Sequence, residues 1–448
     1  MVTYYYQPLI IIQPSNKIHK MKAKIIGCYC LLLSFSSIAQ QPFTFHFQQT
    51  VVSQTKPSIN APYSGTNSLI QSKETQASIT ATFFTGVKLW KGAEGYFDAE
   101  LSGGSGLSGA KGIAGFTNGE AFRIGDAAPK IYLARLYLKQ TIPLSKEYVT
   151  VEDGINQIAT QYPKKYLRFV LGKFCLSDFF DLNTYSHDPR SQFMNWALMS
   201  HGAWDYAANV RGYTSGYVVE YGSPEVGIRF STTAVPTTAN GPDLNYHFAK
   251  NYSHSAEISK PFGKSGKQTI IRLLGYYTKT YMGNYAIATQ TFDKDITETR
   301  KDGRTKIGFG LNAEQQLNAN AGLFFRTSWN DGKNETWAFT EIDHSISLGF
   351  SNAGTKWKRP NDTFGVAIVA NGISKEHQAY LANGGYGFIV GDGKLNYGLE
   401  KIFETYYNIH LHDKHFWLAP NYQFVVNPAY NKDRGPVNVF SLRAHAEF

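Results

Sequence analysis

The stretch from Asp178 to Arg211 combines aromatic rings with planar hydrogen-bonding groups. The rings belong to Tyr185, Phe193, Trp196, Trp204 and Tyr206. The hydrogen-bonding groups belong to Asp181, Asn183, Asp188, Arg190, Gln192, Asn195 and Asp205. A pyranose has an apolar C–H face and a rim of hydroxyls, so rings that stack and planar groups that hydrogen-bond suit a sugar together. The alternative is a long loop that packs on its own aromatic side chains.

Two histidines are the candidates for catalysis. His187 precedes Asp188, and His377 has serines nearby, so a hydrolase built into a barrel wall is one interpretation. The sequence has no G-x-S-x-G elbow, no H-E-x-x-H zinc motif and no paired-glycine phosphate loop. A His beside an Asp in a loop is more often a structural cap, and the 12 histidines show no close ligand spacing. We therefore predict no enzymatic activity, no metal and no cofactor.

The first 39 residues differ in pattern from the rest of the chain. Residues 1–20 carry two prolines and no persistent period, which indicates a dispensable extension. From Met21, two lysines precede an apolar run over 25–35 and small residues at 37–39, which is typical of a signal peptide over residues 21–39. A transmembrane helix is the alternative, but the apolar run is shorter than the roughly 20 residues that a bilayer requires. We place the mature start at Gln40.

Charge and cysteine content exclude several classes of protein. The formal net charge is +10, and residues 1–39 contain four lysines and no acid, so the mature chain carries +6. The basic residues are scattered singly along the chain, and we expect no nucleic-acid partner. Of the three cysteines only Cys175 lies beyond residue 39, which leaves no pair for a disulfide within the mature chain.

A two-residue alternation of apolar and polar side chains begins at Ala77. It runs through residues 77–90 and recurs in residues 97–101, 226–231, 306–311 and 323–329. The apolar face contains Phe83, Phe309 and Phe325, and the opposite face contains Thr80 and Ser328. This period predicts strands with one apolar face, in either a soluble sandwich or a membrane barrel.

The C-terminal residues favour the membrane barrel. Phe440 and Leu442 alternate with Arg443 and Glu447, and the sequence ends on Phe448. An amphipathic last strand that ends on an aromatic residue is typical of outer-membrane barrels, and we expect the barrel-assembly machinery to recognise it. A strand with its connection takes roughly 20 to 25 residues, so residues 77–448 accommodate about 16 strands around a water-filled lumen. Residues 40–76 form a lead segment in this interpretation.

The predicted inner face carries charges of both signs. Arg443 and Glu447 share it on the last strand, and Glu400 and Glu404 share one face of residues 397–411. Mixed charges attract neither anions nor cations strongly, but they offer many weak sites to a neutral polyol. We therefore predict Glu400, Glu404, Arg443 and Glu447 to line the lumen.

Several short sequence motifs resemble those of the carbohydrate-selective porin family, of the OprB type. The resemblance extends over nearly all of the mature chain. These motifs are Ala61 to Leu69, Ala114 to Glu120, Leu133 to Leu138, Asp178 to Asp181, Tyr185 to Arg190, Asn195-Trp196, Gly202 to Tyr206, Arg211 to Tyr213, Gly391 to Gly393 and Asn427 to Pro436. The resemblance implies an all-β, antiparallel transmembrane barrel of about 16 strands in the outer membrane of a Gram-negative bacterium. It also implies loops that fold inward to narrow the pore, and passive uptake of sugars such as glucose.

The candidate pore constriction combines Asp178–Arg211 with the segment Gly115–Lys130. Its sugar-binding candidates are Arg135, Asp181, Asp188, Arg190, Asn195, Trp196, Trp204 and Asp205. The alternative functions are a secreted or surface β-rich polysaccharide-binding protein and an outer-membrane barrel hydrolase. The sequence leaves open whether the barrel is a monomer or a homotrimer in the membrane lipid, and which sugar it carries.

Overall fold

The computed structural model describes residues 42–121, 128–264, 266–411 and 415–448. The extension and signal peptide predicted over residues 1–39 lie outside the described residues, as does the predicted mature start at Gln40. Residues 122–127 of the second candidate constriction segment also lie outside them.

The regular secondary structure of the described chain consists mainly of antiparallel strands. Their bounds are β1 Phe43–Lys56, β2 Glu74–Trp90, β3 Ala93–Gly104, β4 Lys130–Pro143, β5 Tyr148–Val151, β6 Thr160–Pro163, β7 Tyr166–Phe174, β8 Thr214–Gly222, β9 Gly227–Thr233, β10 Val235–Pro236, β11 Leu244–Asn245, β12 Tyr252–Phe262, β13 Thr269–Met282, β14 Lys301–Gln316, β15 Ala321–Asn330, β16 His344–Gly354, β17 Arg359–Gly372, β18 Glu400–His410, β19 Phe416–Val426 and β20 Val437–Glu447. Sixteen of these strands form one closed barrel, in which β20 pairs with β1. The remaining four form the separate hairpins β5–β6 and β10–β11. The predicted sixteen-stranded antiparallel barrel is confirmed.

Helices are short and lie in the connections. The α-helices are α1 Trp196–Met199, α2 Tyr285–Ala288 and α3 Lys375–Ala382. Single 3-10 turns occupy Leu107–Gly109, Leu176–Asp178, Ile296–Thr299, Thr355–Trp357 and Pro428–Tyr430. In the described residues, no helix is long and apolar enough to span a membrane.

The barrel begins earlier than the alternation from Ala77 indicates. Strand β1, Phe43–Lys56, pairs with β2 from Phe43↔Val87 to Lys56↔Glu74, and it lies inside the segment 40–76 that we interpret above as a lead. Phe43 and Phe45 are exposed on the outer face, whereas Thr44 and Gln48 are buried on the inner face. The apolar rhythm is weaker here because outward positions such as Ser53 are polar, so the alternation does not reveal this strand.

The two ends of the barrel have different connections. At the end where β1 begins and β20 ends, here named the turn end, the connections cover residues 91–92, 223–226, 263–268, 317–320, 355–358 and 411–415, with one longer segment at 144–165. The opposite end, here named the loop end, has longer connections at residues 57–73, 105–129, 175–213, 234–251, 283–300, 331–343, 373–399 and 427–436. This asymmetry is typical of outer-membrane barrels.

The outer face of the barrel is apolar and the inner face is polar. Phe83 and Phe309 are exposed on the outer face, and Phe325 is half-buried there, whereas Thr80 and Ser328 are buried on the inner face. Outward-facing rings form rows near both ends. Toward the loop end these are Tyr217, Phe230, Tyr252, His254 and Tyr277, and toward the turn end they include Phe416 and Phe448. Such aromatic girdles mark the two interfaces of a membrane.

The hydrophobic core lies inside the barrel, where loop side chains pack against the wall. Glycines of the inner face provide the necessary space. A Cβ atom at Gly310 would lie 2.6 Å from the ring of His201, and a Cβ atom at Gly322 would overlap the ring of Tyr185. The glycine-rich inner face therefore accommodates rings from the connection between β7 and β8.

Candidate functional site

The connection between β7 and β8, residues 175–213, lies within the barrel. Its backbone N–H groups donate to inward-facing carboxylates of strands that are well separated around the wall. The bonds are Asp181 to Glu257 of β12, Thr184 to Glu314 of β14 and Met194 to Glu404 of β18, each with an N···O distance of 2.7 Å. Because these strands lie in different parts of the barrel, the segment, here named the inserted segment, crosses the lumen.

Glu400 and Glu404 face inward on β18, and both are fully buried beneath loops. Glu400 accepts the backbone N–H groups of Ala114 at 2.9 Å and Gly115 at 2.8 Å. Glu404 accepts those of Met194 at 2.7 Å and Asn195 at 3.0 Å. The structure therefore places these two predicted lumen residues where they hold the inserted loops, away from open solvent.

The connection between β3 and β4 packs against the inserted segment. The Asn195 side chain donates to the carbonyl of Gly115 at 2.9 Å. The backbone N–H of Trp196 donates to the carbonyl of Phe116 at 2.9 Å, and that of Gly119 donates to the carbonyl of Met194 at 2.8 Å. The two connections therefore form one unit inside the barrel.

Arg135 of β4 is completely buried at a β-bulge. The register between β3 and β4 shifts after Asp98↔Arg135, which turns the side chains of both Ala134 and Arg135 inward. The Nε and Nη2 atoms of Arg135 each donate to Asp178 at 2.7 Å, and Nη1 donates to Asp98 at 3.1 Å. The guanidinium group thereby connects the inserted segment to the wall.

Asp181 is buried on the opposite side of the inserted segment. It accepts the Nε–H of Arg326 at 2.9 Å and the backbone N–H of His201 at 2.7 Å. Burial alone would raise the pKa of Asp181, but the charge and hydrogen bond of Arg326, together with the neighbouring His201 and His187, outweigh burial and hold the pKa below its usual value. Asp181 therefore stays ionised as a structural anchor.

Asp188 and Arg190 lie in the same turn but make different contacts. Asp188 accepts the backbone N–H of Arg190 at 2.9 Å, so it caps the turn locally. Arg190 reaches the wall, where Nε donates to Glu120 at 2.7 Å, Nη2 to Glu100 at 3.0 Å and Nη1 to Thr82 at 3.2 Å. Arg190 thus lies between two carboxylates.

Asn195 and Trp196 begin helix α1. The Asn195 side chain accepts the backbone N–H of Ala197 at 3.0 Å, as an N-cap does. The Trp196 ring stacks on Phe339, with centroids 4.8 Å apart and planes 23° apart, and on Tyr206 at 6.1 Å and 14°. The Nε1 atom of Trp196 has no hydrogen-bond partner among the described residues.

Trp204 and Asp205 anchor the inserted segment to a neighbouring loop. Asp205 accepts the backbone N–H groups of Trp337 and Ala338, both at 2.7 Å. Trp204 is buried against the ring of Phe180 at a centroid distance of 6.2 Å. Both residues are buried among the loops that lie inside the barrel.

Arg443 and Glu447 lie at different depths on β20. The Nη1 atom of Arg443 donates to the carbonyls of Pro189 and Gln192, both at 2.7 Å, so this residue supports the inserted segment from the wall. Glu447 lies near the turn end with 43% of its side chain exposed, and its carboxylate is 3.7 Å from His445. Of these two predicted lumen residues, Arg443 therefore contacts the inserted segment, whereas Glu447 lies apart from it near the turn end.

One cleft brings together part of the predicted set with residues that the sequence analysis does not select. We name it the loop-end cleft, and its space, counted together with the open solvent at its mouth, is about 660 Å³. Its charged lining residues are Glu100, Glu120, Arg190 and Arg211, and its aromatic lining residues are Phe116, Trp196, Tyr206 and Phe339. Arg190 and Trp196 are thus the predicted candidates that meet in a cleft containing both rings and paired charges.

Glu100 lies outside the predicted constriction, whereas Glu120 and Arg211 lie within its two segments but are not among the named sugar-binding candidates, because their contacts join distant parts of the chain. Glu100 alternates with outward-facing Leu101 and Phe97 on β3, so its inward orientation is visible in the sequence. Its pairing with Arg190 depends on the path of the inserted segment. The only signal in the sequence that could have suggested Glu100 as a site residue is its place on the polar face of a strand.

Comparison with known families identifies the chain. Residues 66–448 match the family described as carbohydrate-selective porin, OprB family. The chain belongs to this family. It is therefore a porin of the Gram-negative outer membrane, as the sequence motifs predict. A closed barrel with an apolar outer face does not fit the alternative of a secreted polysaccharide-binding protein. No curated protein matches the sequence significantly.

A solved porin structure shows the same fold at low sequence identity. The high-pH structure of OprB from Pseudomonas putida matches with a TM-score of 0.67 and 17% identity, over 91% of this chain and 94% of that chain. Its low-pH structure matches with a TM-score of 0.49 and 13% identity, over 91% and 93% of the two chains. The outer-membrane channel DcaP of Acinetobacter baumannii matches with a TM-score of 0.48 and 10% identity, over 91% and 97%.

Proposed function

We propose that the loop-end cleft is the constriction through which this porin selects neutral sugars for passive diffusion. The observation that carries this proposal is the position of Arg190 between Glu100 and Glu120, beside the stacked rings of Trp196 and Phe339. The rings offer a surface for the C–H face of a pyranose, and the charged groups offer donors and acceptors for its hydroxyls. The segments 175–213 and 105–121 pack against each other inside the barrel, which narrows the lumen beside this cleft.

Charge pairing supports selectivity for neutral solutes. The cleft is lined by two carboxylates, those of Glu100 and Glu120, and by two guanidinium groups, those of Arg190 and Arg211, so its formal charges sum to zero. Arg190 lies 3.0 and 2.7 Å from the two carboxylates, and neither an anion nor a cation meets an uncompensated charge there. A neutral polyol exchanges water hydrogen bonds for equally weak contacts and can leave again. Glucose and related mono- and oligosaccharides fit these requirements.

A purely conducting role, without catalysis, is part of the same proposal. The Nδ1 atom of His377 lies 3.0 Å from Asp343, and its ring stacks on Tyr285 at a centroid distance of 4.0 Å. His377 is fully buried in this position, so a substrate has no access to it. Among the described residues, no group of three or more His, Cys, Asp or Glu side chains could hold a metal ion.

Lipid contact and assembly follow from the outer face. We propose that the apolar band and its aromatic girdles contact outer-membrane lipid, with the loop end outside the cell and the turn end in the periplasm. The closing strand β20 presents Phe440 and Leu442 outward, which suits recognition by the barrel-assembly machinery.

Planar-bilayer recording tests the proposed function. The purified protein should form open channels whose ion current falls with increasing glucose concentration, because a bound sugar occupies the constriction. An equal concentration of a charged solute of similar size, such as gluconate, should block less. Channels that conduct ions but show no sugar-dependent block would refute sugar selection at this site.

A further inference from the structure

The segment 144–165 is longer than the other connections at the turn end. It joins β4 to β7 and carries the hairpin β5–β6, whose strands are paired as far as Val151↔Thr160. Residues 152–159, which we name the hairpin tip, contact side chains on the inner faces of β1, β2 and β3. The hairpin tip therefore enters the lumen from the end opposite to the inserted segment.

The hairpin tip reaches far into the barrel. Asn156 is buried, and its side chain donates to Asp98 of β3 at 3.0 Å. At about 3.3 Å per residue, Asp98 lies roughly 16 Å along β3 from Ala93 at the turn end, close to the middle of the strand. The buried side chain of Ile158 packs beside Gly86 of β2, where a Cβ atom would lie 3.1 Å from it. The tip is thus an ordered part of the lumen.

The hairpin covers a continuous part of the inner wall. At one side, Oδ2 of Asp153 lies 3.1 Å from Nε2 of His46 on β1. At the other side, Nε of Arg168 on β7 donates to the hydroxyl of Tyr162 at 2.8 Å. Strands β2, β3 and β4 lie between β1 and β7 in the barrel. The space left between the hairpin and the wall holds about one water molecule, so no solute passes behind the hairpin.

Asp98 connects the hairpin tip to the inserted segment. The Oδ2 atom that accepts the Asn156 side chain also accepts Nη1 of Arg135 at 3.1 Å, and Arg135 in turn binds Asp178 of the inserted segment. The next inward-facing residue of β3 toward the loop end is Glu100, which lines the loop-end cleft. The hairpin tip therefore lies on the same side of the lumen as the loop-end cleft and nearer to the turn end.

We propose that the hairpin tip is a second constriction of the pore, in series with the loop-end cleft, and that it limits the size of the solutes that pass. The proposal rests on the porin function of the chain, and the arrangement in series rests on the proposed role of the loop-end cleft. The tip removes cross-section from the lumen by its volume, so it acts on charged and neutral solutes alike. The paired charges of the loop-end cleft discriminate by charge, whereas the hairpin tip discriminates by size.

Conductance in planar bilayers tests the proposal with two variants of opposite expected effect. In the first variant, the dipeptide Asn-Gly replaces residues 152–159, because Val151 and Thr160 are paired and a two-residue turn can join them. The single-channel conductance should rise, because the lumen gains cross-section. Larger neutral polyethylene glycols should then enter from the turn side, whereas the size limit from the loop side should not change, because the inserted segment is intact.

The second variant, Gly154→Trp, enlarges the hairpin tip. A Cβ atom at Gly154 meets no other atom within 4 Å, so the new side chain starts in open space. The single-channel conductance should fall. Gly275→Trp is the matched control, because its Cβ atom also meets no atom within 4 Å, but Gly275 pairs with Phe309 on the outer face of the barrel. This control should conduct like the wild type.

Heat-modifiable migration on a gel verifies that each variant is folded. A rise in the shortened variant and a fall in Gly154→Trp, with Gly275→Trp unchanged, support the second constriction. Any folded tip variant that keeps the wild-type conductance or moves in the opposite direction overturns it, as does an equal fall in Gly275→Trp. If the shortened variant does not assemble, Gly154→Trp decides alone. Glucose block is a separate measurement, and its absence in the wild type refutes sugar selection at the loop-end cleft without changing the conductance comparison.

Discussion

At the residue scale, the buried arginines of the lumen act as connectors between separate parts of the chain. Arg135 binds Asp98 of the wall and Asp178 of the inserted segment, and Arg326 binds Asp181. A buried charge is costly unless a partner and further hydrogen bonds compensate it. The mixed charges that suggest a polyol pore in the sequence therefore also hold the inserted segment in place.

Replacing Arg135 by Met should destabilise the barrel by about 3–5 kcal/mol, because Asp98 and Asp178 lose their buried partner. Urea unfolding in detergent micelles measures this change. Arg359→Met is the control, because the Arg359 side chain is 48% exposed and its pair with Asp362 should contribute at most about 1 kcal/mol. Equal effects of the two substitutions would contradict the role of Arg135 as a buried connector.

Replacing Trp196 by Ala should weaken sugar block without closing the pore. Loss of a stacking surface costs about 0.5–1.5 kcal/mol, which corresponds to a roughly two- to tenfold rise in the half-block concentration of glucose. Bilayer recording with glucose added on the loop side measures it. Trp357→Ala serves as the control, because Trp357 lies in a turn at the other end and is 41% exposed. An unchanged half-block concentration in folded Trp196→Ala would leave Trp196 as scaffold.

At the element scale, the inserted segment depends on strands that are far from it in the sequence. Its backbone is held by Glu257, Glu314 and Glu404 of three strands. The wall beneath it is itself connected by ion pairs, in which Arg229 of β9 binds Glu220 of β8 and Glu257 of β12, both at 2.9 Å. The strands therefore supply both a rigid wall and the acceptors for the loop.

The inserted segment also makes stability depend on pH. Burial lowers the pKa of His201 to about 4, despite the Asp181 carboxylate 3.4 Å away, and burial lowers the pKa of His187 likewise to about 4. Between about pH 6.5 and pH 4 the unfolded chain binds protons that the folded chain does not, so the free energy of unfolding should fall as the pH falls through this window. Above about pH 6.5 both states are neutral at these histidines, and their contribution should be constant.

Urea unfolding at pH 7 and at pH 4.5 measures this dependence. The double variant His187→Gln, His201→Gln should lose much less stability between the two pH values than the wild type does. The same loss in the wild type and in the double variant would assign the pH dependence to other groups.

At the scale of the whole molecule, the outer face determines where the barrel is stable. Phe309 lies near the middle of β14 and is 60% exposed on the outer face. Phe309→Arg should destabilise the barrel in lipid by about 2–4 kcal/mol, because the charge meets the membrane midplane. Phe309→Leu keeps an apolar surface and should have a small effect. Folding titrations in lipid vesicles would contradict this assignment of the face if both variants were equally stable.

The closing strand provides a test of assembly. Phe448 exchanges two backbone hydrogen bonds with Phe47 of β1, at 2.8 and 3.0 Å, and its ring stacks on His415 at 5.0 Å. Deleting Phe448 should lower the amount of barrel in the outer membrane without reducing secretion across the inner membrane. Quantification of the heat-modifiable band in membrane fractions measures this, with Phe292→Ala in an exposed loop as the control. Insertion at the wild-type level would contradict recognition through the last residue.

The sequence by itself determined the barrel and its two faces. A strand reverses side chains at every residue, so the alternation around Phe309, Phe325 and Phe440 was sufficient to predict which side chains face outward. Length then predicted sixteen strands. The alternation does not reveal the first strand, Phe43–Lys56, because some of its outward-facing residues are polar.

Only the tertiary structure decided which polar residues share a site. Arg190 meets Glu100 and Glu120 through contacts that span 90 and 70 positions of the sequence, whereas Asp188 accepts hydrogen bonds from Arg190 and Ser191 of its own turn. The same holds for Glu400 and Glu404, which face inward as predicted but are covered by loop backbone. Alternation is a local property that fixes the face of each side chain, but the partner of a buried charge depends on how distant loops cross the lumen, and no local pattern encodes that path.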